Sequence, residues 1–163
     1  MKKIDILRLF FITAILTSCG EYAEKEAFYF PQGFKGTVAV IFNQKNGSPK
    51  EYKEGRRIYR IPENGILYTE LPVVKGALDQ KYYYVNSAGE PSQELPSLPL
   101  PILPDDKYDP QKVYVMNGFD GTFHKDVRFV YMCVGYVSKS DSLIAVANKL
   151  INLIDETYPN RLK

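Results

Sequence analysis

The chain has 163 residues, about the size of one domain, and its 45% hydrophobic and 25% charged residues exclude a disordered or collagen-like protein. The formal net charge is +2. The first 18 residues supply that excess with Lys2, Lys3 and Arg8 against Asp5, so the rest of the chain is neutral. Because a neutral domain has no net attraction for a phosphate backbone, nucleic-acid binding is not expected.

The amino terminus has the pattern of an export signal. Its basic start precedes residues 9–16, an apolar run in which Thr13 is the only polar residue. Such a run is about 12 Å long as a helix, too short for a hydrocarbon core of about 30 Å. It suits the apolar part of a signal peptide, and Leu16-Thr17-Ser18-Cys19 then matches the lipobox of bacterial lipoproteins. We therefore predict a lipoprotein signal peptide over residues 1–18.

Cys19 is the predicted lipidation site. Its thiol would accept a diacylglyceryl group, and its new amine a further fatty acid such as palmitate. Several acyl chains anchor a protein stably, because each buried CH₂ contributes about 0.8 kcal/mol. Residue 20 is glycine, not the aspartate that marks retention in the inner membrane, so we predict the outer membrane, on its periplasmic or surface face. The alternative is an ordinary cysteine beside an apolar run.

The mature chain is predicted to be a short acidic tether, residues 19–27, and one β-rich domain, residues 28–163. Apolar, β-branched or aromatic stretches at 37–42, 56–61, 66–70, 81–85, 113–116 and 127–134 predict strands. Pro62 and Asn64-Gly65 predict a hairpin between the second and third of these strands. Asn117-Gly118 and Asp120-Gly121 are turn signals and predict a loop over residues 117–126.

Two further segments complete the predicted fold. The six prolines within residues 91–110 exclude helix and central strand, so we expect an extended arm that packs over a sheet or its edge. An apolar face at three-to-four spacing predicts a final amphipathic helix, formed by Leu143, Ala147, Leu150, Ile151 and Ile154. The fold class is mainly β or α+β, an antiparallel β-sandwich with one C-terminal helix.

A family resemblance covers about residues 29–70. Its most specific part is Tyr29-Phe30-Pro31-Gln32-Gly33-Phe34-Lys35-Gly36, and a second part is Arg57-Ile58-Tyr59-Arg60-Ile61-Pro62-Glu63-Asn64-Gly65. These stretches resemble an uncharacterised bacterial lipoprotein domain family, classified only as a domain of unknown function. The first half is also similar in pattern to transthyretin-like (prealbumin-like) sandwich modules. The resemblance implies a location and a fold, and it transfers no catalytic residue.

Catalytic and metal sites find little support in the sequence. His124 is the only histidine, and a lipidated Cys19 leaves Cys133 as the only free cysteine, which argues against zinc sites built on several histidines or cysteines. A hydrolase would need His124 as base and Asp120 or Asp126 to orient it, yet no Gly-x-Ser-x-Gly motif occurs. We keep this envelope hydrolase as the alternative function and expect no enzyme, no cofactor and no metal.

Aromatic and basic surfaces suggest binding instead. Tyr82 and Tyr84 share one face of their predicted strand and could stack on a glycan or an envelope protein; the alternative is that both rings fill the boundary beneath the arm. The basic residues of 45–60 could meet lipid phosphates, or could form cross-strand ion pairs. Cys133, inside an apolar run, is predicted to be buried and inert. The expected function is a membrane-anchored binding or structural module.

Overall fold

The computed structural model describes residues 24–74, 79–123 and 127–157. The predicted signal peptide, Cys19, His124 and Asp126 lie outside these ranges. The described chain forms ten strands, a short 3₁₀ helix at Val137–Lys139 and one helix, α1, at Ser140–Thr157. The strands are β1 Lys25–Pro31, β2 Gly36–Ile41, β3 Tyr52–Lys53, β4 Arg56–Arg60, β5 Ile66–Tyr68, β6 Gln80–Val85, β7 Pro91–Glu94, β8 Ser97–Pro99, β9 Tyr114–Phe123 and β10 Val127–Gly135.

The strands form two five-stranded sheets, which confirms a β-sandwich with one C-terminal helix. The first sheet has the order β3-β4-β1-β6-β7, and the second has the order β5-β2-β10-β9-β8. Both sheets are mixed rather than wholly antiparallel, because β1 runs parallel to β4 and β6, and β2 runs parallel to β5. The parallel pairs arise because the chain changes sheets after β1, β2, β4, β5 and β7, which leaves few hairpins.

The predicted hairpin between β4 and β5 is wrong. These strands belong to different sheets, and the segment between them crosses from one to the other. Ile61 enters the core on the way, and Gly65 turns with a φ of 75°. A Cβ at Gly65 would lie 2.2 Å from the Thr37 carbonyl oxygen. The Asn64-Gly65 turn signal is therefore real, but tertiary packing uses it to change sheets.

The central strand of the first sheet, β1, begins inside the predicted tether. Residues 25–27 pair with β4 and β6, so the tether is shorter than residues 19–27. The charges of Glu24, Lys25 and Glu26 suggest a solvated segment when they are considered alone. The aromatic run that follows, Phe28-Tyr29-Phe30, is the signal that identifies the strand.

The main core lies between the two sheets. Phe28 stacks on Tyr59 from β4 with ring centroids 4.7 Å apart, and on Tyr82 from β6 at 5.3 Å. Val38, Val40, Met132 and Val134 from the second sheet complete this layer. Stacked rings of this kind stabilise a core beyond the area that they bury, by about 0.5–1.5 kcal/mol for each pair.

Helix α1 covers the outer face of the second sheet, as its apolar periodicity predicts. Ala147 and Ile154 are buried in a second core with Ile41, Met116 and Cys133, and Leu143, Leu150 and Ile151 pack at its margin. Within the described ranges, no helix has both the length and the apolar character needed to cross a bilayer.

The proline-rich arm joins the free edges of the two sheets. Residues 91–94 pair with β6 at the edge of the first sheet, and residues 97–99 pair with β9 at the edge of the second. Leu95 between them is buried in the main core. Pairing at an edge tolerates proline, which has no N–H to donate to a ladder. The first part of the predicted arm thus forms two short edge strands.

Cys133 is fully buried in the second core, as predicted, and burial raises the pKa of its thiol from 9.0 to about 11. We expect the folded, acylated protein not to react with a thiol reagent at pH 8, and to react once denatured. Because the folded pKa is the higher one, the thiol's contribution to stability is complete below about pH 9 and is lost as the pH rises toward 11. Equal labelling with and without denaturant would contradict this burial.

Candidate functional site

Tyr82 and Tyr84 share a face, as predicted, but that face points into the core. Their exposed fractions are 2% and 4%. Tyr82 stacks on Phe28, and the Tyr84 hydroxyl donates to the Phe34 carbonyl oxygen at 2.7 Å. The expected exposed aromatic platform at these residues is therefore wrong, because apolar contact and internal hydrogen bonds together favour burial of the rings.

Four of the basic residues within 45–60 form ion pairs. Lys53 pairs with Glu90, Arg56 with Asp79 and Arg60 with Glu51, while Arg57 pairs with Glu24. These contacts support the predicted cross-strand pairs rather than a cationic surface for phosphates. The Arg56 guanidinium also holds the pKa of Asp79 below its usual value.

The residues of the hydrolase alternative are only partly described, since His124 and Asp126 lie outside the described ranges. Asp120 forms an ion pair with Arg128. Residues 117–123 fall in the predicted loop, but in the structure they belong to strand β9. Across the residues that the structure describes, no three His, Cys, Asp or Glu side chains come together as a metal site.

A cleft of about 410 Å³ opens between the sheets at the end where β1 begins. Its volume is within the usual range for small-ligand sites. Residues from both sheets and from the segment after β5 line it: Glu26, Phe28, Phe42, Val73, Val74, Gln80, Asn117, Gly118, Asp120, Arg128, Val130, Tyr131 and Met132. We call it the Glu26 cleft.

The register of the first sheet places Glu26 in this cleft. Glu26 lies opposite Arg57 on β4 and opposite Gln80 on β6, so the three side chains form one row. The aromatic layer of the core, with Tyr59, Phe28 and Tyr82, is the row two residues further along the strands. Glu26 is only 3% exposed and Arg57 only 8%, unusual values for charged residues.

Two series of hydrogen bonds converge on the Glu26 carboxylate. On one side the Tyr59 hydroxyl donates to Glu26 Oε1 at 2.7 Å, and the Arg57 charge acts on Tyr59 against the rise in its pKa. From the other side, Gln80 Nε2 donates to Glu26 Oε2 at 2.7 Å. A buried carboxylate is stabilised when charge-assisted donors replace its water, so these bonds offset the desolvation of Glu26.

Tyr82 extends the second series to the opposite sheet. Its hydroxyl oxygen lies 2.8 Å from Gln80 Oε1 and 2.8 Å from Asn117 Oδ1. One hydroxyl proton serves one acceptor, and Gln80 is oriented by its bond to Glu26. The series is complete when Tyr82 donates to Gln80 and the Asn117 amide turns its NH₂ toward the Tyr82 oxygen. Burial, and for Tyr59 also the adjacent Glu26 charge, raises the pKa of Tyr59 and Tyr82 well above that of a free tyrosine.

A β-bulge places Asn117 and Asp120 on the same wall of the cleft. In a regular strand, residues three apart face opposite sides. Here Met132 pairs with Asn117 and Val130 pairs with Asp120, so β9 has one extra residue opposite Tyr131. The bulge restores Asp120 to the inner face, and it depends on Gly118, where a Cβ would lie 2.3 Å from the Tyr131 carbonyl oxygen.

Arg128 completes the second wall. One of its terminal nitrogens pairs with Asp120. Among the described residues, its Nε is the one side-chain nitrogen or oxygen that is buried without a hydrogen-bond partner. A buried donor without a partner costs about 1–3 kcal/mol, so this N–H lacks an acceptor that would stabilise it.

A second hollow, of about 760 Å³, lies beneath the proline-rich arm beside Tyr84 and Leu95. Its polar side chains, Lys35, Gln93, Glu94, Gln111 and Lys112, are all exposed. Water can hydrate these groups in the empty hollow, so a ligand would gain little by replacing it there. The smaller Glu26 cleft has a buried carboxylate, Glu26, and a buried unpaired nitrogen, Arg128 Nε, and is the better candidate.

Sequence reasoning misses most residues of the Glu26 cleft. The local pattern assigns Glu26 to the tether, Asn117 and Asp120 to a loop, and Arg128 to the interior of an apolar run. A charged residue next to an apolar aromatic run is the available signal for Glu26. The register that joins it to Gln80 is set by tertiary pairing and has no local signal.

The chain is similar to a known protein family and to a solved structure. A family model described as a family of unknown function (DUF6843) matches residues 22–125. Among solved structures, the chain is similar to one from Bacillus anthracis described as a "putative lipoprotein", with a TM-score of 0.48, 18% identity, and coverage of 70% of this chain and 73% of that one. The comparison with curated proteins finds no significant match.

Proposed function

The chain belongs to the DUF6843 family of unknown function, and we propose that it is a lipid-anchored protein of the bacterial cell envelope that binds a small ligand in the Glu26 cleft without catalysis. The family model includes residues 29–70, and it confirms the resemblance to a domain family of unknown function. The observation that carries the proposed function is the cleft itself, which has the buried Glu26 carboxylate on one wall and the buried, unpaired Nε of Arg128 on the other.

The anchor and the cleft are close in the chain. Cys19 precedes Glu26 by seven residues, and an extended chain spans at most about 3.6 Å for each residue. With Cys19 acylated, Glu26 therefore lies within about 25 Å of the membrane surface. This proximity supports a role in which the protein binds its ligand at or near a membrane, and the outer membrane remains our prediction for that membrane.

The described lining residues favour binding over catalysis. They include no serine, threonine, cysteine, histidine or lysine. The two carboxylates of the lining, Glu26 and Asp120, could act as bases or nucleophiles, but both are engaged by other side chains. The polar groups are instead acceptors and donors held by other side chains, as in a preorganised binding site. The hydrolase alternative uses His124 with Asp120 or Asp126; of these, the structure describes Asp120, whose carboxylate is engaged by Arg128. A glycan or an envelope protein remains a proposed partner for the rest of the surface.

The anchoring part is tested by replacing Cys19 with alanine. We expect the variant to lose its acyl chains and to leave the membrane fraction almost completely, because no other lipid attachment is proposed. Fractionation with palmitate labelling measures both properties. A Cys133→Ala variant is the matched control, since it removes the buried thiol and leaves the lipobox intact. Unchanged membrane association of Cys19→Ala would contradict acylation at this residue.

The binding part is tested by filling the cleft. Val130 is half-buried and lines the cleft, so phenylalanine at this position would occupy part of the ligand volume. We expect native mass spectrometry of the protein extracted from envelopes to show a small bound molecule, and Val130→Phe to lose it while retaining a cooperative thermal transition. The absence of any bound molecule from the unmodified protein would refute a ligand-binding role for this cleft.

A further inference from the structure

We propose that the ligand of the Glu26 cleft is a zwitterion, with a primary ammonium group that binds Glu26 and an anionic group that binds Nε of Arg128. The inference rests on the proposed function and adds the chemical class of the ligand. Two buried groups with unused hydrogen-bonding capacity, one on each wall, carry it.

Glu26 retains capacity to accept hydrogen bonds. A carboxylate has about four acceptor positions on its two oxygens. The bonds from Tyr59 and Gln80 use one position on each oxygen. Because the side chain lines the cleft and is almost completely buried, a ligand donor can occupy the remaining positions. An ammonium group has three N–H donors and opposite charge, and it matches this acceptor best.

Arg128 has the complementary property. Asp120 engages a terminal nitrogen of its guanidinium, and the Nε–H stays buried and unpaired. Arginine donors bind carboxylates and phosphates particularly well, because the planar guanidinium directs its N–H groups toward them. An anionic group on the ligand would supply the missing acceptor.

The charges of the lining residues agree with a zwitterion. Glu26 and Asp120 are acidic and Arg128 is basic, so the described lining has one negative charge in excess. An anion without an ammonium group would therefore be repelled. Glu26 and Arg128 stand on facing sheets and line the same cleft, so one ligand can contact both. Phe28, Phe42 and Val73 provide apolar contact for the rest of the ligand.

Two sources could supply this chemistry. One is the phosphoethanolamine headgroup of a membrane lipid, which the cleft would meet near the anchored end. The other is a free amino acid, whose ammonium and carboxylate groups are also a few ångströms apart. Both have a primary ammonium group and an anionic group, and the experiment distinguishes them.

The experiment measures binding by the acylated, full-length protein in detergent. Calorimetric titrations use O-phosphoethanolamine and alanine as zwitterions, and ethanolamine and inorganic phosphate as the corresponding half-ligands. Flotation with vesicles of phosphatidylcholine, with and without phosphatidylethanolamine, tests the lipid source with the Cys19→Ala variant, which has no acyl chains of its own. Phosphatidylcholine is the matched comparison, because its quaternary ammonium has no N–H to donate.

Three variants identify the groups involved. Glu26→Gln removes the buried charge at nearly constant shape, and Arg128→Lys keeps the positive charge but removes Nε. Glu63→Gln makes the same charge change at an exposed loop residue and is the control. We expect at least a tenfold loss of affinity for the zwitterion in the first two variants and none in the third. Thermal melting verifies that each variant is folded.

The outcomes decide the inference. The inference is supported if the protein binds a zwitterion more strongly than either half-ligand, and if this binding needs both Glu26 and Arg128. Vesicle binding that requires phosphatidylethanolamine identifies a membrane lipid as the source of the ligand. Binding of alanine, with no binding to vesicles that contain phosphatidylethanolamine, identifies a free amino acid as the source. Failure of the unmodified protein to bind any of these zwitterions overturns the ligand class. If native mass spectrometry instead shows a bound molecule that is not a zwitterion, and Val130→Phe loses it, the cleft is a binding site and only the proposed ligand class is wrong.

Discussion

Replacement of Ile154 by aspartate is expected to destabilise the domain by about 4 kcal/mol, through a charge placed in an apolar core without a partner. Ile154 is buried between α1 and the second sheet, with Ala147 beside it in the same core. Equilibrium unfolding in urea measures the change. The loss should appear as a lower midpoint with a similar slope, because the substitution leaves the area exposed on unfolding almost unchanged.

Leu153→Asp is the matched control for this prediction. Leu153 is the adjacent residue on the same helix, but 56% of its surface is exposed. The same substitution there should change the free energy of unfolding by no more than about 0.5 kcal/mol. If Ile154→Asp were as stable as Leu153→Asp, α1 would not be docked on the sheet.

Replacement of Gly118 by alanine is expected to cost about 3 kcal/mol, because the added Cβ would overlap the backbone of β10. A Cβ with ideal geometry at Gly118 would lie 2.3 Å from the Tyr131 carbonyl oxygen and 2.7 Å from two carbons of the Tyr131 ring. Backbone cannot move aside as a flexible side chain can, so the bulge itself must distort. The melting temperature should fall by about 10 °C for a domain of this size.

Gly55→Asn is the control for Gly118. Gly55 follows Glu54 in the tight turn between β3 and β4, and both have positive φ, at 73° for Gly55 and 52° for Glu54. Nothing lies within 4 Å of a Cβ at Gly55, and asparagine tolerates this conformation better than most residues do. Its substitution should be nearly neutral in the same melting experiment. A loss at Gly55 as large as that at Gly118 would show that general glycine removal, not the bulge contact, is responsible.

Apolar, β-branched or aromatic stretches identify six of the ten described strands, and a helical periodicity identifies α1. The predicted stretches at 37–42, 56–61, 66–70, 81–85 and 127–134 correspond to β2, β4, β5, β6 and β10, 113–116 overlaps the start of β9, and the apolar face of α1 packs as expected. The strand predictions succeed because β-branched and aromatic side chains pack well on a sheet, and the helix prediction succeeds because side-chain direction repeats every 3.6 residues. The turn signals succeed only as local geometry: Asn64-Gly65 turns between sheets, and Asn117-Gly118 marks a bulge.

What the sequence determined by itself is local: the lipobox pattern at Cys19, the apolar strands, the amphipathic helix, and the extended form of the proline-rich arm. The tertiary structure alone decided which strands are neighbours, and thereby created the Glu26 cleft. Glu26 finds its two donors at Tyr59, 33 residues away, and at Gln80, 54 residues away. A charged side chain such as Glu26 has a lower free energy in water than in a protein core, and partners from distant strands are needed to offset the cost of burying it.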